Sequence, residues 1–136
     1  MTAVSMTDHG VMYGAIEFYK TCRDLGVKPL IGCEVYILAS ANRSTRDHTL
    51  PYHHLVLLAE NNEGYHNLAK LNTIAHMEGF YYKPRIDKEM LRACSKGLIG
   101  LAACVKGEIN THLLENNLDE AERVAREHME IFGPDR

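Results

Sequence analysis

The sequence predicts an α/β fold with a parallel sheet, and three observations support this prediction. Short apolar runs alternate with amphipathic stretches along the chain, as in repeated strand-and-helix units. Two of the runs, residues 54–59 and 98–103, are almost continuously apolar, which is typical of strands buried on both faces. The composition, 136 residues with 46% apolar and 24% charged residues, is that of one compact domain.

The first half of the chain alternates three predicted strands with two predicted helices. The strands are residues 3–6, 28–37 and 54–59, and the helices are residues 12–25 and 62–77. Met12, Ile16 and Tyr19 recur near the helical repeat and share one face of the first helix. The second helix carries an apolar stripe along one side, formed by Tyr65, Leu68, Leu71, Ile74 and Ala75.

The second half holds one further predicted strand and three predicted helices. The strand is residues 98–103, and the helices are residues 87–93, 108–114 and 118–131. The last helix is amphipathic, and Gly133 with Pro134 ends it.

Polar residues in two regions are predicted to lie in solvent. The chain turns polar at residues 40–50, which predicts a solvated, mobile loop containing Arg43, Arg46 and His48. Glu127, His128 and Glu130 fall on the outer face of the last predicted helix, and we expect water around them as well.

Composition excludes several classes of protein. The formal net charge is −3, from 15 basic and 18 acidic residues, so a globally basic nucleic-acid-binding surface is absent. No apolar run approaches the roughly 20 residues of a membrane span, and no signal peptide is visible. Four cysteines without an export signal predict reduced thiols and a cytoplasmic location, where a functional cysteine binds metal more often than it forms a disulfide.

Residues that bind transition metals stand at or near the ends of the predicted strands. They are His9 after the first strand, Glu34 in the second, His54 in the third and Cys104 after the last. Imidazole, carboxylate and thiolate together suit zinc or another borderline divalent metal. Taken singly, each has a structural explanation, and their wide spacing matches no local zinc-binding pattern. Cys22, Cys33 and Cys94 are interpreted as small buried apolar residues.

One short motif combines aromatic and basic side chains. It runs Tyr81-Tyr82-Lys83-Pro84-Arg85, and such residues can stack on a base and hold a phosphate through Arg85. The alternative, which we favour, is a loop whose tyrosines pack and whose Arg85 forms an ion pair. The chain contains no Walker loop, no Gly-x-Ser-x-Gly elbow and no Cys-x-x-Cys pair.

The order of these motifs resembles a known domain family over essentially the whole chain. The matching segments are Thr7-Asp8-His9-Gly10, residues 28–36, His53-His54 with the apolar run behind it, residues 79–87 and the Cys104-Val105-Lys106-Gly107-Glu108 stretch. They are similar to the PHP (polymerase and histidinol phosphatase) domains of bacterial DNA polymerase III alpha subunits. That family folds as a distorted, TIM-like β/α barrel of seven strands.

The resemblance implies a metal-dependent phosphoesterase site. In the family, a cluster of metal ions at the carboxyl end of the barrel supports phosphoester hydrolysis, in some members as a 3′–5′ exonuclease. The metal ligands carried over by position are His9, Glu34, His54 and Cys104. Zinc, manganese or iron is the implied ion, with Mg²⁺ for polymerase activity. For Asp8 and His53 the resemblance implies at most a contact with these ligands. For Arg85 it implies a weak contact with phosphate. It implies a catalytic role for no residue.

Departures from the family pattern predict an incomplete barrel. The first strand of the family, with a His-x-His pair, and its last strands, with an Asp-x-His pair, have no counterpart in residues 1–136. We therefore expect the central part of one PHP domain, truncated at both ends. The parent protein would synthesise DNA together with the other polymerase III holoenzyme subunits and would not bind a membrane. This chain alone would have little or no phosphoesterase activity. A non-catalytic module that supports the polymerase and a stand-alone phosphatase, such as a histidinol phosphatase, are the alternatives.

Overall fold

The computed structural model describes residues 1–102 and 104–136, and it confirms the predicted α/β class. The strands are β1 (Ala3–Met6), β2 (Lys28–Leu38), β3 (His53–Ala59), β4 (Arg85–Asp87) and β5 (Leu98–Leu101). The helices are α1 (Ala15–Asp24), α2 (Asn62–Met77), α3 (Lys88–Ala93), α4 (Glu108–Leu114) and α5 (Leu118–Phe132). The prediction of strand through residue 103 ends on Ala103, which lies outside the described residues.

The sheet is mixed, so the prediction of a parallel sheet is wrong. Its order is β1-β2-β3-β5; β1 pairs with the first residues of β2, and β4 pairs with its last residues. The pairs β1/β2 and β2/β4 are parallel, whereas β2/β3 and β3/β5 are antiparallel. An apolar run reports only that both faces of a strand are covered, and it carries no information on strand direction. The sheet is not closed into a barrel by the described strands.

Alternation along the two central strands separates a core face from a second face. Cys33, Val35 and Ile37 of β2 point into the core, where they meet Leu55 and Leu57 of β3. The core is completed by buried residues of α2, α3 and α5, among them Leu68, Leu71, Ala75, Leu91, Ile131 and Phe132. Because strand side chains alternate, the even-numbered residues of β2 and β3 lie on the opposite face.

Helix α2 spans the residues predicted for it, and its first turn is held by a cap. The Asn61 side chain accepts a hydrogen bond of 3.0 Å from the backbone N–H of Gly64. Gly64 also touches the turn before β5, because a Cβ atom built on it would lie 1.8 Å from the Gly97 carbonyl oxygen. The close backbone contact therefore requires glycine.

The substitution Gly64→Ala is expected to destabilise the chain by about 2 to 3 kcal/mol, because the new methyl group forces two backbone segments apart. Alanine would otherwise favour the helix by about 1 kcal/mol. Urea unfolding followed by circular dichroism measures the change. Thr73→Ala, at an exposed position on the same helix, is the matched control. A Gly64→Ala chain as stable as the wild type would contradict the close contact.

The loop between β2 and β3 is tied to the rest of the molecule, which corrects the expectation of a solvated, mobile loop at Arg43. The Arg43 backbone N–H and Nη1 both donate to Asp87 Oδ2 at 2.9 Å, and its Nε donates to Glu78 at 2.8 Å. Arg46 Nη2 donates to the carbonyl of Glu78. His48 is exposed, as predicted.

The expectation of a solvated face on α5 is also wrong for two of its three residues. Glu127 accepts hydrogen bonds from Lys88 and Arg92, and the Nε2 atom of His128 is buried. The reason is that Lys88 and Arg92 of α3 reach Glu127, and that α4 packs along α5. Glu130 is exposed, as predicted. Within the described part of the chain, no helix is both long and apolar enough to span a membrane.

Candidate metal centre

Two neighbouring strands place Glu34 and His54 on the face opposite the core. In the antiparallel register, Tyr36 of β2 pairs with His54 of β3, and Glu34 pairs with Val56. Directly paired residues share a face, so the side chains of Glu34 and His54 are diagonal neighbours. This arrangement follows from the register of the β2/β3 pair.

His9 reaches the same place from the segment after β1. The backbone N–H of Glu34 donates to the Asp8 carbonyl, and the N–H of Gly10 donates to the Glu34 carbonyl, both at 2.9 Å. These two bonds extend the pairing of the chain with β2 beyond the end of β1. His9 is thereby held beside Glu34, although its side chain is 64% exposed.

Cys104 is brought in by the turn between β5 and α4. Its carbonyl accepts hydrogen bonds from the N–H of Gly107 at 2.8 Å and from the Asn110 side chain at 2.7 Å. The backbone N–H of His54 donates to the Lys106 carbonyl at 3.0 Å, which fastens this turn to β3.

Three of the four predicted ligands, His9, Glu34 and His54, form one cluster of donor atoms, and Cys104 lies beside His54. His54 Nδ1 lies 2.5 Å from Glu34 Oε1, and His9 Nδ1 lies 3.4 Å from Glu34 Oε2. Cys104 Sγ lies 3.4 Å from His54 Nδ1. One donor atom from each of His9, Glu34 and His54 lies within 4.8 Å of the others.

This donor set fits a divalent transition metal. Two nitrogen or oxygen ligands of one tetrahedral ion stand about 3.4 Å apart, given bond lengths of about 2.0 to 2.1 Å. The His9–Glu34 separation of 3.4 Å matches that spacing, while Glu34 and His54 are at hydrogen-bonding distance. The His54–Cys104 separation of 3.4 Å is close to the roughly 3.6 Å expected for a nitrogen and a thiolate ligand, since a zinc–sulfur bond is about 2.3 Å long. Two imidazoles, one carboxylate and one thiol are ligands of the borderline class.

Two tyrosines surround His54, and sequence reasoning missed both. The Tyr36 ring meets His54 edge-on at a centroid distance of 5.1 Å, and the Tyr52 ring lies parallel to it at 6.1 Å. Tyr36 follows Glu34 by two positions, and strand periodicity could have placed it on the same face. Tyr52 follows the polar loop, and no periodicity in the sequence around it indicates that it lies beside His54.

Comparison with known protein families identifies the family of the chain that carries this cluster. The PHP domain family model matches residues 1–136. The chain belongs to the PHP domain family. PHP domains are generally metal-dependent, which agrees with a possible metal-binding group at His9, Glu34 and His54.

Relatives of this PHP chain carry the name DNA polymerase III subunit alpha. The protein of Helicobacter pylori strain J99 is 48% identical over 99% of the chain, and that of Thermus aquaticus is 46% identical over 96%. The protein of Treponema pallidum is 43% identical over 98% of the chain. The chain spans only 11 to 12% of the length of these relatives.

Three further residues implied by the family resemblance lie outside the cluster of this PHP chain. The backbone of Asp8 bonds to Glu34, but its side chain faces the start of α1 near Gly14. His53 lies on the opposite face of β3, buried beside Thr111 at 3.4 Å, and burial lowers its pKa. Arg85 is 2% exposed and donates to the backbone carbonyls of Gly79, Thr45 and Arg43.

The other cysteines of the PHP chain are buried away from the cluster. Cys22, Cys33 and Cys94 are all buried. Burial raises the pKa of Cys33 to about 11, so its thiol stays protonated at neutral pH, although it adjoins Glu34 in sequence. Cys104 is the half-exposed cysteine and the one beside His54.

Proposed function

We propose that the chain is the PHP module of a bacterial DNA polymerase III alpha subunit and that its cluster binds a divalent metal for phosphoester hydrolysis. The observation that carries this proposal is the meeting of side chains from four separate parts of the chain, in which Glu34 contacts His9 and His54, and His54 contacts Cys104. The names of the relatives support the polymerase origin. The whole protein would then synthesise DNA, with DNA and the other holoenzyme subunits as its partners.

The two carboxylate oxygens of Glu34 face different ligands and so divide the cluster into two sets of donor atoms. Glu34 Oε1, His54 and Cys104 form one set of donors, and Glu34 Oε2 with His9 forms the beginning of another. A carboxylate with one oxygen on each side is suited to bridge two ions. Zinc, manganese and iron accept this combination of ligands, whereas Mg²⁺ prefers oxygen ligands and belongs to the polymerase activity of the whole protein.

The protein side chains hold and orient the site. A divalent metal, when bound, lowers the pKa of a coordinated water and neutralises charge that develops on a phosphate. Glu34 supplies the negative charge that attracts the cation, and Tyr36 and Tyr52 fix the ring plane of His54 by contact on two sides. The exposed His9 leaves the opposite side accessible to a substrate.

We expect the chain by itself to bind metal but to hydrolyse phosphodiesters slowly. A two-metal mechanism stabilises both the attacking and the leaving oxygen. Within residues 1–102 and 104–136, the side of the cluster at His9 offers one imidazole and the shared carboxylate. That donor set is too small to hold a second ion firmly.

Elemental analysis of the purified chain tests the metal site. The wild type is expected to contain about one zinc, manganese or iron ion. Cys104→Ala is expected to bind the ion at least about 10-fold more weakly and to lose most of it on dialysis, since changes in residues that only contact the ligands already weaken metal binding about 10- to 100-fold. Cys22→Ala, a buried cysteine on α1, is the matched control and should retain the metal. Equal metal content in both variants would reject Cys104 as a ligand, and a metal-free wild type would reject the site.

A further inference from the structure

The aromatic and basic motif at residues 81–85 presents a different cation from the one that the sequence suggested. The Arg85 side chain points inward, and its guanidinium group donates hydrogen bonds to backbone carbonyls. Lys83 is exposed. Among residues 1–102 and 104–136, the lysines that form ion pairs are Lys88 and Lys96, so the charge of Lys83 is available to a ligand.

Lys83 is held next to the candidate metal centre. Its Nζ atom lies over the ring of Tyr36, 5.4 Å from the centroid, and the same ring also contacts His54 and Tyr52. The next residue, Pro84, packs against the segment that carries His9, because a Cβ atom on Gly10 would lie 2.8 Å from Pro84 Cγ. One aromatic ring therefore separates the lysine from the metal-binding imidazole.

A tight turn displays an aromatic ring beside this lysine. The N–H of Tyr81 donates to the Lys83 carbonyl at 3.1 Å, and Tyr82 forms the tip with a φ of 59°. The left-handed conformation is unfavourable for a tyrosine, yet the Tyr82 side chain is left 79% exposed. Tyr81 supports it edge-on at 4.8 Å.

We propose that Lys83 binds the phosphate backbone of a single-stranded nucleic acid at the mouth of the metal centre, with Tyr82 stacking on a base of the same strand. The proposal rests on the proposed function and adds two residues, Lys83 and Tyr82, that contact the strand. Lysine is a point-charge ligand for phosphate, and an exposed aromatic ring next to a cation is the combination that binds single strands without sequence preference. A small phosphate ester without a base could not stack on the exposed Tyr82 ring.

Binding of a fluorescein-labelled oligothymidylate of about 12 nucleotides, a length within the range of single-strand site sizes, tests Lys83. Fluorescence anisotropy is measured in EDTA over a series of salt concentrations, so the result does not depend on the metal. Lys83→Gln is expected to weaken binding about threefold to tenfold and to reduce the salt slope by about 0.7, the value for one phosphate contact. Lys83→Arg should retain both properties.

The matched control is Lys70→Gln, an exposed lysine on α2, which packs on the opposite face of the sheet. It should bind the oligonucleotide like the wild type. Identical behaviour of Lys83→Gln and Lys70→Gln, or no binding by the wild type, would overturn the proposal. So would loss of inorganic phosphate binding in Lys83→Gln with unchanged oligonucleotide binding, because that result identifies a small phosphate ester.

Tyr82 gives an independent readout, because stacking releases no counterions. Tyr82→Asn suits the left-handed backbone and should weaken binding about fivefold or more without changing the salt slope. Tyr82→Phe should bind like the wild type. If Tyr82→Asn binds normally, the stacking contact is rejected. A metal-free wild type that still shows these effects would reject the proposed metal site and leave the nucleic-acid contact standing.

Discussion

Replacing Lys88 by methionine is expected to destabilise the chain by about 3 to 5 kcal/mol, the cost of removing one partner from a buried ion pair. Lys88 Nζ donates to Glu108 Oε1 and to Glu127 Oε2, both at 2.7 Å, and the Glu108 side chain is only 3% exposed. Without the cation, two carboxylates lie close together with little water. Urea unfolding at neutral pH measures the loss.

Two variants separate the buried pair from a general effect of losing a lysine. Lys96→Met removes an exposed pair with Glu63 and should change stability by less than about 0.5 kcal/mol. In the double variant Lys88→Met/Glu108→Met the uncompensated carboxylate is also removed, and part of the lost stability should return. A cost for Lys88→Met as small as for Lys96→Met would show that the network does not form.

The same network predicts the pH dependence of this cost. Burial acts to raise the pKa of Glu127, but the hydrogen bond and charge of Lys88, with the charge of Arg92, outweigh burial and lower the pKa below 4.5. The stabilisation is therefore fully present above the unfolded pKa of about 4.3 and is lost as the pH falls through the folded pKa. The difference between wild type and Lys88→Met should be smaller at acid pH than at neutral pH.

Arg85→Met is the second substitution with a large expected effect, a loss of about 3 kcal/mol, since hydrogen bonds to a charged donor contribute about 1.5 to 3 kcal/mol each. Arg85 Nε donates to the Gly79 carbonyl at 3.1 Å, and Nη2 donates to the Thr45 carbonyl at 2.6 Å. The first bond fixes the segment before β4, and the second fixes the loop between β2 and β3. Loss of both should release the loop.

Trypsin provides a readout that is specific to the loop. Arg43 and Arg46 are cleavage sites that the folded loop protects through their contacts with Asp87 and Glu78. In Arg85→Met, cleavage after these residues should be faster under native conditions. Arg126→Met removes an exposed pair with Glu122 on α5 and is the matched control, with no change in loop cleavage. Equal cleavage of both variants would contradict the role of Arg85.

The local elements could be predicted because their signals are local. The helix at residues 62–77 was predicted with the bounds that α2 has, since its apolar stripe and the residues flanking it lie within one stretch of sequence. The direction of the strands could not be predicted in the same way. An apolar run such as residues 54–59 reports burial, and β3 is buried while it runs antiparallel to β2.

The side chains of the loop and of α5 were misread for the opposite reason. Arg43 and Glu127 are polar, and polarity alone predicts solvent. Asp87 lies 44 residues from Arg43, and Arg92 and Lys88 lie 35 and 39 residues from Glu127. Long-range pairing of this kind leaves no periodicity in the sequence. For Arg85 the favoured prediction was an ion pair, whereas its recorded hydrogen-bond partners are backbone carbonyls.

The sequence by itself determined the α/β class, the PHP family and the four candidate ligands, because each rests on residue type and order along the chain. Only the tertiary structure decided that Glu34 and His54 share one face while His53 lies on the other. It also turned Arg85 inward and left Lys83 beside Tyr36. The physical reason is that a side chain's environment depends on strand register and on residues distant in sequence, which residue type does not record.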